Sequence, residues 1–203
     1  MEIMSAEFIK GIRGTDPIAC GGTTQIAFVG RSNVGKSSII SSIARNKKLV
    51  KVSDVPGKTR EINFFLINKA PSSSFSQKEK SLKEFYLVDL PGYGYSQVGP
   101  EEKEKLRKLI IWYITDPEIR PKMIVLVLDV RAGMTEFDLQ MLALLKEYGH
   151  HFCIVANKMD KLTQRELALQ MGKIHEVAGD VEVIPVSAIK PGGLKKLIKQ
   201  LSV

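Results

Sequence analysis

Apolar, β-rich runs alternate with helix-like stretches along this chain. Six runs carry the strand signature: Gln25–Val29, Ile62–Ile67, Glu84–Leu90, Lys122–Asp129, Phe152–Ala156 and Val181–Val186. Their alternation with helical segments predicts a largely parallel sheet with helices on both faces. Ile124-Val125-Leu126-Val127-Leu128 is apolar without alternation, as a central strand covered on both sides requires. Thr135-Glu136-Phe137-Asp138 and Thr163-Gln164-Arg165-Glu166 have the form of capping boxes that start helices. Leu194, Leu197, Ile198 and Leu201 recur at helical spacing, so the last helix should lay one face on the sheet. Residues 70–80 are polar and serine-rich, which predicts a long mobile loop. The strands on either side of that loop can pair antiparallel, leaving one reversed strand in the sheet. The expected architecture is α/β: three layers, α/β/α, around a mostly parallel six-stranded sheet with one antiparallel strand. Residues 1–23 precede the first run and read as an N-terminal extension to a domain spanning 24–203.

Between the first strand and the next helix stands Gly30-Arg31-Ser32-Asn33-Val34-Gly35-Lys36-Ser37, followed by Ser38, a G-x-x-x-x-G-K-[ST] phosphate loop. Chance produces this pattern in roughly one of 100 chains of this length, and its position after a strand lowers that further. The expected fold is therefore the P-loop NTPase fold. The glycines let the backbone curl around phosphate oxygens, and the following helix start adds N–H donors and positive dipole. Lys36 should reach the β- and γ-phosphates, and the Ser37 hydroxyl should ligate magnesium.

Asn157-Lys158-Met159-Asp160 follows the fifth predicted strand, where a base would lie across the carboxyl ends of the sheet. The Asp160 carboxylate can accept N1–H and the 2-amine of guanine, and adenine offers neither donor. A buried polar site left unpaired in this way rejects the wrong ligand by about 10⁴–10⁵. Val186-Ser187-Ala188, after the last strand, would back the guanine ring with backbone N–H. Asp89-Leu90-Pro91-Gly92 has the D-x-x-G form of a γ-phosphate sensor, with Asp89 holding magnesium through water and the Gly92 amide on the γ-phosphate. A rival dinucleotide fingerprint at Gly92-Tyr93-Gly94 fails because Gln97 stands where its third glycine is required. Gly57-Lys58-Thr59-Arg60-Glu61 lies where a switch loop should fold over the nucleotide, with Thr59 as second hydroxyl ligand of magnesium. The metal set is thus Ser37, Thr59 and Asp89, and the residues expected to act on the reaction are Lys36, Thr59, Asp89 and Gly92.

Composition adds a partner class. The 203 residues carry 30 basic against 22 acidic side chains, a net charge of +8 that favours an anionic partner. Arg45, Lys47, Lys48, Lys51, Lys58 and Arg60 cluster in and before the switch against Asp54 alone. Apolar runs such as Met123 to Leu128 are far short of the ~20 residues that span a bilayer. The N-terminus lacks a basic-then-apolar block, so no secretory leader is expected and the cytoplasm is the expected compartment. Two cysteines, Cys20 and Cys153, are too few for a disulfide framework.

The order of these boxes resembles the translation-factor-like GTPases. Asp89-Leu90-Pro91-Gly92-Tyr93-Gly94-Tyr95, together with Gly30-Arg31-Ser32-Asn33, is similar to the EngB family. The resemblance runs from about Ala6 to the C-terminus. Two positions depart from the family's usual wording, Asn157 where threonine is commoner and Ser96 where alanine is. Membership implies a small bacterial or organellar protein that hydrolyses GTP to GDP with Mg2+, and a monomer is expected. It also implies a role in assembling the large ribosomal subunit through rRNA phosphates, with division and septation defects on its loss. A GTP-gated scaffold in division, with incidental hydrolysis, is the alternative. Tyr93 stands where Ras-like GTPases place a water-orienting glutamine, so slow intrinsic hydrolysis is expected, awaiting a partner's arginine or a monovalent cation. Asn33 resembles the K+-coordinating asparagine of related GTPases, and bracing of the loop is its other role.

Guanine nucleotides should bind and adenine nucleotides should not. Asp160→Asn should shift preference toward xanthine, whose C2 carbonyl suits the new amide. Competition among GDP, ADP and XDP measures this, and equal wild-type affinity for GDP and ADP would refute the assignment of Asp160.

Overall fold

The computed structural model describes residues 3–46, 49, 60–69, 83–94, 99–190 and 193–201. Its elements run in the order β1 (Ile3–Ile12), α1 (Pro17–Cys20), β2 (Gln25–Gly30), α2 (Lys36–Ile43), β3 (Ile62–Lys69), β4 (Lys83–Asp89) and α3 (Pro100–Thr115). Then follow β5 (Met123–Asp129), α4 (Glu136–Glu147), β6 (Phe152–Asn157), α5 (Gln164–Ala178), β7 (Val183–Pro185) and α6 (Leu194–Gln200), with one 3₁₀ turn at Met159–Lys161. The serine-rich stretch at 70–80 and the switch residues Gly57, Lys58 and Thr59 lie outside the described residues.

All strands join one sheet in the order β1-β3-β4-β2-β5-β6-β7. β3 is antiparallel to both β1 and β4, and the remaining pairs are parallel, so the single reversed strand is where the sequence placed it. The strand count differs from expectation: the sheet has seven strands, because the segment read as an extension contributes β1. Its register shifts between Ile3 and Ser5 and again between Phe8 and Lys10. Such irregularities flip the phase of a strand. Ile3, Ala6 and Phe8 therefore pack on one side of the sheet while Ile12 packs on the other, and no clean alternation shows in the sequence.

Alternation is regular in the centre. In β5, Ile124, Leu126 and Leu128 face one core, and Met123, Val125 and Val127 face the other. The first core takes Leu109, Ile110, Tyr113 and Ile114 of α3, Met141, Leu142 and Leu145 of α4, and Ile174 and Ala178 of α5. The second takes Ile39, Ile40 and Ile43 of α2 with Leu197 of α6 and the adjoining Leu201. This is the three-layer arrangement, and each fully buried aliphatic side chain contributes roughly 1.5–3 kcal/mol. Both expected capping boxes form: Asp138 Oδ2 accepts the Thr135 amide at 3.0 Å, and Glu166 Oε2 accepts the Thr163 amide at 2.8 Å. From β2 the chain leaves toward β4, and from β5 it leaves toward β6. The carboxyl ends of β2 and β5 thus border the crevice that open α/β sheets offer to ligands.

A buried polar chain crosses the first core: Tyr113 donates its hydroxyl to Gln25 Oε1 at 2.7 Å, and Gln25 Nε2 donates to the Ala19 carbonyl at 2.8 Å. Tyr113→Phe leaves the buried Gln25 oxygen without its donor and should cost about 1–3 kcal/mol. A lower urea midpoint at unchanged slope is expected. An unchanged midpoint would mean that the bond adds nothing to stability.

Candidate nucleotide site

The turn after β2 is shaped by two left-handed residues, Asn33 at φ +65° and Gly35 at φ +101°. A Cβ on Gly35 would run into the Asn157 side chain, so glycine is the residue that lets the loop close there. α2 then begins with neither a side-chain cap nor an acidic residue in its first turn, leaving its amides free to meet an anion. Lys36 is buried, and its ammonium donates to the Gly30 carbonyl at 2.9 Å and the Arg31 carbonyl at 3.3 Å. Burial pushes the pKa of Lys36 down, and Asp89 opposes that shift. Ser38 is exposed, and its carbonyl accepts the Ser42 hydroxyl at 2.8 Å.

Ser37 donates its hydroxyl to Asp89 Oδ2 at 2.5 Å. Asp89 is only 2% exposed, and its other oxygen, Oδ1, is buried without a hydrogen-bond partner. Burial pushes the Asp89 pKa up, while Lys36 and the Ser37 hydroxyl pull it down. An oxygen-only pair with an orphaned carboxylate oxygen suits a hard divalent cation such as Mg2+. Thr59, the third expected ligand, lies outside the described residues.

Three loops converge on the base side. Asn157 Nδ2 donates to the Val34 carbonyl at 2.7 Å, and its Oδ1 accepts the Ala188 amide at 3.2 Å. Lys158 donates from Nζ to the Asn33 carbonyl at 2.6 Å and to Asp129 Oδ2 at 2.9 Å. The Met159 amide reaches the Val186 carbonyl at 3.2 Å. Ser187 donates its hydroxyl to Asp160 Oδ1 at 2.7 Å, and that bond leads the causes that hold the Asp160 carboxyl below its ordinary range. Asp160 is therefore an oriented, ionised acceptor.

On the sensor side the Leu90 amide bonds to the Phe28 carbonyl at 3.1 Å, and Pro91 is buried. Gly92 approaches the phosphate loop so closely that a Cβ would stand 2.8 Å from the Ser32 amide nitrogen. The Tyr93 carbonyl accepts that amide at 2.9 Å. The Tyr93 hydroxyl donates to Asp138 Oδ1 at 2.8 Å, and Arg31 pairs with Asp138 at 3.4 Å. Burial, then Asp138, raise the Tyr93 pKa well above the tyrosine range, so the hydroxyl stays a donor committed to α4.

Arg60 pairs with Glu102 at 4.0 Å and Glu61 with Arg13 at 2.9 Å. Neither bonds to the phosphate loop. The sequence motifs also omit two residues that the structure places in this network, Asp129 and Asp138. Asp138 was legible only as a helix cap. Asp129 could have been found from the register of the two central strands, which sets it opposite Asn157.

A phosphate loop, a D-x-x-G turn and a base-side N-K-x-D turn on one crevice of such a sheet define a P-loop GTPase. The family model for 50S ribosome-binding GTPases matches residues 25–158, and that for the elongation factor Tu GTP-binding domain matches 120–202. The chain belongs to the EngB family of GTP-binding proteins, and it is a GTPase. It is 40% identical over 205 residues to a probable EngB of Clostridium kluyveri, covering 99% of this chain and 96% of the relative. It is 38% identical over 177 residues to a probable EngB of Aquifex aeolicus, covering 87% and 88%. A crystal structure of a probable EngB superposes with TM-score 0.65 at 23% identity, over 88% of this chain and 96% of that one. Era in complex with MgGDPNP and nucleotides 1506–1542 of 16S ribosomal RNA superposes with TM-score 0.67 at 21% identity, over 88% and 55%. At these identities the superpositions bear on the fold alone.

Burial opposes ionisation of Asp129, but hydrogen bonds from Arg131 and Lys158 outweigh it and hold the pKa at about 2, against an ordinary 3.8. A depressed carboxyl pKa stabilises the folded chain above the unfolded value and loses that contribution as pH falls through the folded one. Urea stability should therefore decline from about pH 5 toward pH 2, and Asp129→Asn should flatten the decline. Parallel declines in the two proteins would uncouple this carboxylate from folding.

Proposed function

We propose that this chain is a cytoplasmic, monomeric, Mg2+-dependent GTP switch that acts in assembly of the large ribosomal subunit and is needed for normal division. The observation that carries the nucleotide half is the oriented Asp160 beside Ser187, at the mouth of a crevice whose other end holds Lys36, Ser37 and Asp89. Asp160 would accept N1–H and the 2-amine of guanine, and the Ala188 region would close over the ring. Lys36 would leave its two loop carbonyls for the β- and γ-phosphates. Ser37, Asp89 and Thr59 would hold Mg2+, which neutralises charge on the phosphate oxygens. The Gly92 amide would report the γ-phosphate, and water attacks it to release GDP and phosphate.

Tyr93 is bonded to Asp138 and has no part in orienting that water, in keeping with slow intrinsic turnover. Activation is assigned to a partner's arginine or to K+ held near Asn33. The ribosomal half is supported by the family model's description and by the charge of +8. No helix among the described residues is long and apolar enough to cross a membrane.

Association with large subunits should be stronger with a non-hydrolysable GTP analogue than with GDP. Log affinity should fall with log salt at a slope near −0.7Z to −0.9Z for Z phosphates contacted. Charge reversal at Lys47 and Lys48, outside the described residues and in no nucleotide box, should shallow the slope and spare GDP affinity. Co-sedimentation across a salt series measures both. Equal binding in the two nucleotide states would remove the switch from the proposal.

A further inference from the structure

Three described residues other than glycine have positive φ: Asn33 at +65°, Arg45 at +51° and Lys158 at +69°. Two of the three are joined directly, because Lys158 Nζ donates to the Asn33 carbonyl at 2.6 Å. A left-handed side-chain-bearing residue persists where its surroundings over-determine it. Here the surroundings include Asp129, whose Oδ2 takes the same ammonium at 2.9 Å. Asp129 is itself immobilised. Arg131 donates to it from Nε at 2.9 Å, from Nη2 at 2.6 Å and from its backbone amide at 3.1 Å. The β5–β6 ladder sets Asp129 opposite Asn157, one residue before Lys158, and the Val130 amide closes that ladder on the Asn157 carbonyl at 3.0 Å. The carboxylate thus stands at a fixed place relative to the base-side turn, with 8% of the residue exposed.

We propose that Asp129 is a positioning residue for nucleotide binding, pinning the Lys158 ammonium against the Asn33 carbonyl so that the base-side turn and the phosphate loop are held as one unit. The proposal rests on the assignment of a guanine nucleotide to this crevice and adds to it a residue that none of the sequence motifs contains. A lysine ammonium on a four-carbon stem is strongly hydrated and mobile unless a counter-charge holds it. Removing the charge of Asp129 releases Lys158 toward water, and both left-handed turns lose the bond that joins them. Bound nucleotide then escapes faster. GDP and GTP are affected alike, because the bonds of Asp129 run to Arg131 and Lys158 rather than to Ser37, Asp89 or Gly92.

The test is a double-mutant cycle on the full chain with Mg2+, reading affinity and dissociation rate of fluorescent GDP for wild type, Asp129→Asn, Lys158→Ala and the double variant. Asp129→Asn should weaken GDP by about tenfold or more, as expected for loss of a charged hydrogen-bond partner. The GDP-to-GTP affinity ratio should stay within about threefold, and in the Lys158→Ala background the same change should cost less than about twofold. A merely structural role would give an equal loss in both backgrounds, and that result, or an Asp129→Asn affinity within twofold of wild type, would overturn the proposal. If the amide variant does not fold, Asp129→Glu, which displaces the charge by one methylene, enters the same cycle with the same criteria. Wild-type protein that binds ADP as tightly as GDP would overturn the site assignment, and this proposal with it.

Discussion

One buried carboxamide fixes the geometry on which the rest of the crevice depends. Asn157 is 2% exposed and spends both ends of its side chain on backbone, donating to Val34 in the phosphate loop and accepting from Ala188 after β7. Loops with no ladder between them are thereby held at hydrogen-bond distance from one another. A buried amide left half-paired is costly, so each loop confines the others. A side chain with a single hydroxyl in place of this amide would have to donate to one loop and accept from the other with the same group.

The opposite end of the crevice is held by charge. Lys36 and Asp89 are both buried, and each is pushed by burial toward its neutral form while the other resists that push. A phosphate chain with its metal would offer these groups the partners that the bare loop supplies only through its own carbonyls and the Ser37 hydroxyl. The sensor turn is packed against the same loop, with Gly92 in contact with Ser32 and Tyr93 bonded to it. Any motion of that turn must therefore also move Tyr93 against Asp138 and α4.

Most of the fold and the nucleotide boxes were legible because they are local. A phosphate loop, a D-x-x-G turn and a base-side turn each keep their meaning within a few residues, and six strands declared themselves by composition. What escaped the sequence is non-local. Asp129 acts through the register of β5 on β6, and Asp138 bonds to Tyr93, 45 positions away. Arg60 and Glu61 sit beside the switch in sequence, and their ion pairs with α3 and with the loop after β1 are contacts that no spacing announces. Spacing reports which residues are neighbours along the backbone and nothing about which way a turn aims them.

The irregularity of β1 has a meaning during synthesis. Ile12 pairs with Ile62 and Ile3 with Lys69, so β1 leaves the translating ribosome about 50 residues or more ahead of the strand it needs. At about 5–20 residues per second that is on the order of several seconds with a bare edge. A long, cleanly alternating, apolar strand exposed for that time is an invitation to pair with another nascent chain. β1 instead carries two register breaks, Lys10 and a single buried side chain, Ile12. The breaks are features of the pairing with β3, so the strand that pattern reading missed takes its final phase only once β3 has emerged.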